Sequence, residues 1–524
     1  MLLALPVVVV MAAWGQWDGQ SLQVLQSMAD TVLPEYVRNS LLLCALVSLG
    51  VISMGSVSAL AVTLFDFPGR RVLEWALLLP LAMPAYVVAY AYSDFLQFSG
   101  PVQTLLRQVF GLEGALWPDV RSLWGAAFVL SVCLYPYVYL LTRAALSDRA
   151  VHLMEAARLL GAGLSRRMAR VALPLARPAV AAGTALALME TLSDYGVTSY
   201  LGVSTFATGI FKAWLVMDNR LAAAQLATGL LVLVMLMLWL EQRAQSRMRF
   251  GNARGGMARG QESQPMRLHG AAAWLPFGLC LMPVLLGFVA PLLIMLHTLA
   301  TSGTAEPLPW RRFAGWAWNS LSLGVLSAVL AVSVAVAMAA LRRGRPHRLT
   351  RGLVGLAGLG YAVPGVVIVV GLLLPVAWLQ QRWPESQVGG WLTTTVVGLV
   401  WAYLVRFVAV ALQAVESGYA RVPPSLDESA RMLGVHGWAL LYRVHWPMLR
   451  RPAAAAALLV LVDVVKELPA TLLLRPFNTD TLAVMAYQLA RDERLGEAAL
   501  PALALVLVGL VPVMLLSRTL RRSA

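Results

Sequence analysis

The chain has 524 residues, of which 59% are hydrophobic and only 13% charged, and its mean hydropathy is +0.72. Soluble domains carry roughly 25% charged residues, so a water-soluble globular fold is excluded. The formal charge of +15 comes almost wholly from arginines set in short runs between apolar stretches, which argues for a membrane protein and against a nucleic-acid binder.

A spanning helix needs about 20 mostly apolar residues. Such stretches occur at 1–14, 38–63, 72–96, 122–142, 178–200 and 222–241, then at 271–297, 317–341, 352–378, 389–412, 452–474 and 497–517. They predict an all-α integral membrane protein of about twelve transmembrane helices. The first stretch begins at Met1 without the basic region of a secretory signal, so it reads as a helix clipped at its N-terminus. The arginine-rich segments (70–71, 143–177, 243–267, 342–351, 421–451 and 518–522) fall on one side of these spans, which the positive-inside rule makes cytoplasmic. Both termini then lie in the cytoplasm. Cys44, Cys133 and Cys280 sit in separate apolar stretches and the six histidines lack metal-ligand spacing, so neither a disulfide framework nor a structural metal is expected.

The chain is internally duplicated. Asn39-Ser40-Leu41 recurs as Asn319-Ser320-Leu321 and Pro84 as Pro364, at an offset of 280; Glu155, Gly161 and Pro174 recur as Glu428, Gly434 and Pro447, at 273. An ordered series of matches marks a repeat. It divides the chain into a first repeat at 1–246, a Gly-rich basic linker at 247–267 and a second repeat at 268–524. Six spans per repeat give both the same orientation, so the repeats are parallel.

Between the fourth and fifth spans of each repeat lies a basic, helix-forming loop, at about 143–177 and about 415–451. Each holds a short helix with small residues near its start, stopped by a glycine suited to a C-cap, and a second amphipathic piece that ends at Pro174 or Pro447. A single copy could be a hairpin resting on the membrane surface. Two copies at identical spacing on the cytoplasmic side argue instead for docking into clefts of another protein. The pattern Glu-Ala-Ala, three residues, Gly, nine residues, an aliphatic, one residue, Leu-Pro resembles the EAA signature of binding-protein-dependent ABC importer permeases. The second copy departs at Ser429 and Trp446, with the spacing intact.

The resemblance implies the MetI-like permease fold and an inner-membrane location. It implies coupling helices formed by Glu155, Ala156, Ala157 and Gly161 and by Glu428, Ala430 and Gly434, each seated in one of two copies of a cytoplasmic ABC ATPase. A periplasmic binding protein would deliver the substrate. The chain itself would do no chemistry and bind no cofactor, ATP and Mg²⁺ being used by the ATPase. In keeping with this, neither Lys212 nor Lys466 follows a glycine, as the lysine of a phosphate-binding loop would.

Beyond each loop the next span contains acids: Glu190 and Asp194, beside Tyr195, in the fifth, and Asp463 and Glu467, with Lys466, in the eleventh. The pairs match at offset 273, and i, i+4 spacing would place each pair on one helical face. A charge at the bilayer centre costs roughly 2.5–3.5 kcal/mol on insertion scales, so these groups are expected to face the bundle interior or a water-filled path. Lys466 could pair with Asp463, but one lysine cannot neutralise four acids, which suggests a cation path. Carboxylate and phenolate suit hard cations; Tyr195 and Tyr200 stand nearby, and Asp94 with Tyr90 and Tyr92 is a weaker addition. No metal site is assigned.

The fused plan, with Glu467-Leu-Pro-Ala-Thr-Leu-Leu-Leu-Arg-Pro476 after the second loop and Asp194-Tyr-Gly followed by Gly202-Val-Ser-Thr-Phe206 in the first repeat, resembles ferric-iron permeases over about 38–518. That implies ferric iron as cargo, with thiamine or another small solute as the alternative, since other permeases share the plan. A secondary transporter with six plus six helices is the rival of a different class; it would not need matched loops after the fourth and tenth spans. A membrane enzyme needs a nucleophile–base pairing, and the sequence offers none.

Overall fold

The computed structural model describes residues 3–15, 19–147, 150–253, 266–268, 270–302, 310–344, 352–420 apart from 353, 356, 359, 384, 386 and 387, and 422–522. Most of the expected linker (254–265) lies outside the described residues. The principal helices of the first repeat are α1 (Leu5–Ala12), α2 (Leu33–Leu64), α3 (Ala85–Leu96), α4 (Leu123–Ser147), α5 (Ala150–Leu159), α6 (Leu173–Ser193), α7 (Gly196–Tyr200), α8 (Phe206–Leu215) and α9 (Arg220–Ala253). Those of the second are α10 (Trp274–Val284), α11 (Ala290–Ser302), α12 (Trp310–Gly344), α13 (Gly365–Arg382), α14 (Val396–Tyr419), α15 (Pro424–Met432), α16 (Trp446–Lys466), α17 (Pro469–Leu474), α18 (Leu482–Arg491) and α19 (Leu495–Arg522).

Among the described residues nine helices are long and apolar enough to cross a membrane, or ten if the bent pair Arg70–Ala82 and Ala85–Phe110 is one span. All twelve predicted stretches carry helix, but two miss this standard. The first is too short. The eleventh, α16, holds Arg450, Arg451, Asp463 and Lys466, too many charged residues for one spanning window.

The duplication recurs in the packing. Asn39 Nδ2 donates to Ser204 O (3.0 Å) and Ser40 Oγ accepts from Phe206 N (3.2 Å), which fixes the start of α8. Asn319 Nδ2 donates to Asp480 O (3.0 Å) and Ser320 Oγ accepts from Leu482 N (2.8 Å), which fixes the start of α18 in the same way. The repeats also exchange arms: α1 packs on α13, and the α10–α11 rod packs on α2 and α3 with its middle against α4. Each crossing is made on a glycine. An added Cβ at Gly371 would lie 2.2 Å from Pro6 O, and one at Gly287 would lie 2.4 Å from Val132 O.

Four predicted spans are broken rather than continuous. Proline disfavours helical backbone in the residue before it: Met83 is extended (ψ 129°), so Pro84 starts α3 afresh, at 90° to the preceding segment. Pro364 starts α13 in the same way (ψ 140°) after a single 3₁₀ turn. The other two breaks fall at Asp194 (ψ 124°) and Glu467 (ψ 125°), so the helices α6 and α16 stop and the short helices α7 and α17 follow.

Candidate permeation cavity and docking loops

The four breaks converge on a cavity of about 220 Å³, lined from the first repeat by Pro84, Tyr86, Tyr137, Glu190 and Asp194 and from the second by Tyr361, Arg406, Asp463, Lys466 and Glu467, among others. The structure therefore brings together all four predicted acids and Lys466. It does not give them one role. Asp194 and Glu467 stand at the breaks, not on the face they were expected to share with Glu190 and Asp463, because each carboxylate captures free amides of the next short helix. Asp194 Oδ1 accepts from Val197 N (2.8 Å) and Thr198 N (3.3 Å). Glu467 accepts from Ala470 N and Thr471 N (both 3.0 Å) and from Thr471 Oγ1 (2.7 Å). These are cap interactions, which satisfy amides that a helix start leaves without partners.

Glu190 and Asp463 are the acids left to the cavity. Glu190 Oε2 is 4.0 Å from Arg406 Nη2, and Asp463 makes no hydrogen bond or ion pair among the described residues. The expected Lys466–Asp463 pair is not formed: Lys466 Nζ donates to Leu81 O (2.9 Å), reaching across to the first repeat. Sequence reasoning missed Arg406, on α14, whose Nη1 donates to Glu467 Oε1 (3.3 Å). Its signal was a lone arginine inside an apolar span. The cavity thus holds four acids and two cations. Tyr195 is not among its lining residues; it is buried and stacked on Phe211 with ring centroids 3.7 Å apart. Tyr200 lies 5.6 Å from Arg121 in a cation–π contact, and Asp94 accepts a 3.5 Å bond from Gln97; neither lines the cavity. The phenols that do are Tyr86, Tyr137 and Tyr361. Among the described residues no three His, Cys, Asp or Glu side chains gather as a metal cage.

The two loops are built alike. In each the short helix (α5 or α15) ends in a Schellman motif with the glycine left-handed: Gly161 at φ +78° and Gly434 at φ +79°. Gly161 N donates to Arg158 O and Ala162 N to Ala157 O; Gly434 N donates to Arg431 O and Val435 N to Ala430 O. The expected spacing of small residues and glycine is therefore the spacing of this cap. Ala156, Glu428 and both glycines are exposed and Ala430 is buried, while the Glu155 side chain lies outside the described residues. Just before each glycine stand two bare apolar side chains, Leu159 (89% exposed) and Leu160 (88%), matched by Met432 (90%) and Leu433 (83%). These were not singled out from sequence, although both pairs are plain in it. Pro174 and Pro447 do not end the second piece. They sit just after a π-turn (Met168–Ala172, Leu441–His445) that carries the helix through to the span, at the head of α6 and α16.

The family model for the inner membrane component of binding-protein-dependent transport systems matches this chain twice, at residues 51–250 and 328–523. The chain belongs to this family. The permease is also 24% identical over 488 residues to the Fe(3+)-transport system permease protein FbpB 2 of Haemophilus influenzae, covering 93% of this chain and 90% of the relative. It is 24% identical over 502 residues to a probable ABC transporter permease of Sinorhizobium fredii, covering 88% and 84%. A shorter match, 35% over 132 residues, covers 25% of this chain and 56% of the molybdenum transport system permease ModB of Escherichia coli. The permease is thus a fused, duplicated ABC importer subunit of all-α fold, a multi-pass protein of the inner membrane.

Proposed function

We propose that this permease passes ferric iron from a periplasmic binding protein to the cytoplasm by alternating access. The observation that carries this reading is the cavity, where Glu190 from one repeat and Asp463 from the other offer carboxylates beside the phenols of Tyr137 and Tyr361. These are hard oxygen donors suited to a trivalent cation. Likeness over most of the chain to an Fe(3+) permease points the same way.

The loops centred on Glu155, Ala156, Ala157 and Gly161 and on Glu428, Ala430 and Gly434 each dock one ATPase copy, with Leu159–Leu160 and Met432–Leu433 as the apolar tips. ATP and Mg²⁺ act in that partner. The repeats occupy 1–246 and 268–524, joined by a cytoplasmic linker at 247–267, and both termini are cytoplasmic. Glu190 and Asp463 meet the cargo; Asp194, Glu467 and Lys466 shape its path, and Tyr195 supports it from behind.

A second reading, an oxyanion cargo, is favoured by Arg406 and Lys466 in the same cavity, and a molybdenum permease is among the partial matches. Proteoliposomes holding the permease, its ATPase and its binding protein decide between them. ATP-dependent uptake of ferric iron, undiminished by excess molybdate, is the expected result. Molybdate uptake without iron uptake would reverse the assignment.

A further inference from the structure

The matched repeats differ at one buried place beneath the docking loops. In the second repeat Arg343, near the end of α12, reaches the loop: Nε donates to Asp427 Oδ2 (2.6 Å) and Nη2 to Asp427 Oδ1 (3.1 Å). The same guanidinium donates to the carbonyls of Val422 (3.0 Å), Pro423 (3.2 Å) and Tyr419 (3.3 Å). His445 Nε2 meets Asp427 Oδ1 at 3.0 Å, and the Tyr419 hydroxyl lies 3.2 Å from His445 Nδ1. Asp427 and His445 are only 7% and 5% exposed. Burial pushes the Asp427 carboxyl up, but the hydrogen bonds from Arg343 and His445 outweigh it and hold it below the usual carboxylate range.

By the repeat offsets, the counterparts of Arg343, Tyr419, Asp427 and His445 are Thr63, Leu146, Met154 and Ala172. Leu146, Met154 and Ala172 pack together as a small apolar cluster apart from the main core, and the Thr63 hydroxyl has no hydrogen-bond partner. One docking helix hangs on a forked ionic anchor; at the counterpart positions the other rests on apolar contacts, with a single-pronged bond from Arg167 Nη1 to Met154 O (3.4 Å) beside them. Apolar contact is non-directional and tolerates sliding, whereas a bidentate Arg–carboxylate pair fixes angle as well as distance. From His445 the helix runs without interruption through α16 to Asp463 and Lys466 at the cavity.

We infer that Arg343 is a positioning residue that makes the second docking loop the rigid ATPase contact and leaves the first compliant, so that nucleotide-driven movement reaches the cavity chiefly through the second repeat. This rests on the docking assignment made above. The test replaces the anchor with its first-repeat counterparts (Arg343→Thr, Tyr419→Leu, Asp427→Met, His445→Ala) in the full transporter. ATPase co-purification and cargo moved per ATP hydrolysed are both measured, against a matched loosening of the first loop (Met154→Ala).

The expected result is retained co-purification with cargo per ATP down about fivefold or more in the transplant, and by less than about twofold in Met154→Ala, the range in which coupling networks respond. Arg343→Lys, which keeps the charge but loses the fork, should fall between wild type and transplant. Equal losses in the two loops, or an unchanged ratio in the transplant, overturn the inference. So does loss of assembly in the transplant while Arg343→Lys behaves as wild type, since the anchor would then be structural only. A wild-type chain that retained no ATPase at all would instead overturn the docking assignment itself.

Discussion

Glu467→Ala and Asp194→Ala form a natural pair, since the two acids occupy equivalent breaks but only the Glu467 carboxylate also accepts from a hydroxyl (Thr471) and a buried cation (Arg406). Asp194 accepts two backbone amides, at 2.8 and 3.3 Å, and no cation lies within ion-pair distance among the described residues. Its removal is a cap loss, worth about 1 kcal/mol. Glu467 makes comparable cap bonds and in addition receives Arg406 at 3.3 Å, with the Glu467 side chain 2% exposed and Arg406 12%. Breaking a buried pair costs about 3–5 kcal/mol when the remaining charge is left alone. Here Glu190 remains at 4.0 Å from Arg406, so about 2 kcal/mol is a better figure for that contribution. Glu467→Ala should therefore lose about 3 kcal/mol in all, some 2 kcal/mol more than Asp194→Ala. SDS-driven unfolding of the purified permease in mixed micelles measures both, and Glu467→Gln isolates the charge by keeping an acceptor oxygen. Losses equal within about 0.5 kcal/mol, well inside the spread of single-site effects, would refute the view that Arg406 depends on Glu467.

Glu190→Gln combined with Asp463→Asn should cut iron uptake at least about tenfold, equal to about 1.4 kcal/mol, while ATPase co-purification stays normal; unchanged uptake would remove these acids from the path. Gly161→Ala and Gly434→Ala meet no steric obstacle, as nothing lies within 4 Å of either added Cβ, so their cost is the left-handed backbone alone, about 1–2 kcal/mol each. Weaker ATPase retention, with Gly→Asn milder than Gly→Ala, is the expected pattern on pull-down. Gly371→Val should drive α1 off α13 and destabilise the permease by about 1–3 kcal/mol or more, seen as a lowered unfolding midpoint; an unshifted midpoint would deny the arm exchange its structural part.

Much of this was legible because its causes are local. Apolar length marks spans, and the duplication shows in Asn-Ser and Glu-x-Ala matches whose hydrogen bonds recur at both sites. The glycine of each loop was readable as a C-cap because a left-handed residue at a helix end leaves a one-residue signature. The breaks were harder. Pro84 and Pro364 were seen as repeat markers, yet their effect on Met83 and on the preceding turn is a backbone restriction that a hydropathy window averages away. Asp194 and Glu467 were read as members of an i, i+4 face, since the sequence around them is apolar enough to suggest uninterrupted helix. Only the capture of amides three and four residues on shows why the helix stops there. Arg406 and Arg343 escaped because their partners lie 61 and 84 residues away, and no periodicity reports a contact at that range.

Duplication explains why the permease has two of everything, and divergence explains how the two can do different work. The cavity takes from each repeat one carboxylate that caps no helix, Glu190 and Asp463, but both cations, Arg406 and Lys466, from the second. Lys466 aligns with Ser193 and Arg406 with Cys133, so the first repeat has no charge to return. The same bias recurs at the docking loops, where the ionic anchor belongs to the second repeat and its counterpart is apolar. Polar contacts at both ends of one helix, His445 with Asp427 near its start and Lys466 with Leu81 O at its finish, run along α16, while Glu190 is the one charged group that α6 carries into the cavity. A fused chain permits this asymmetry, because each half always meets the other and never a copy of itself.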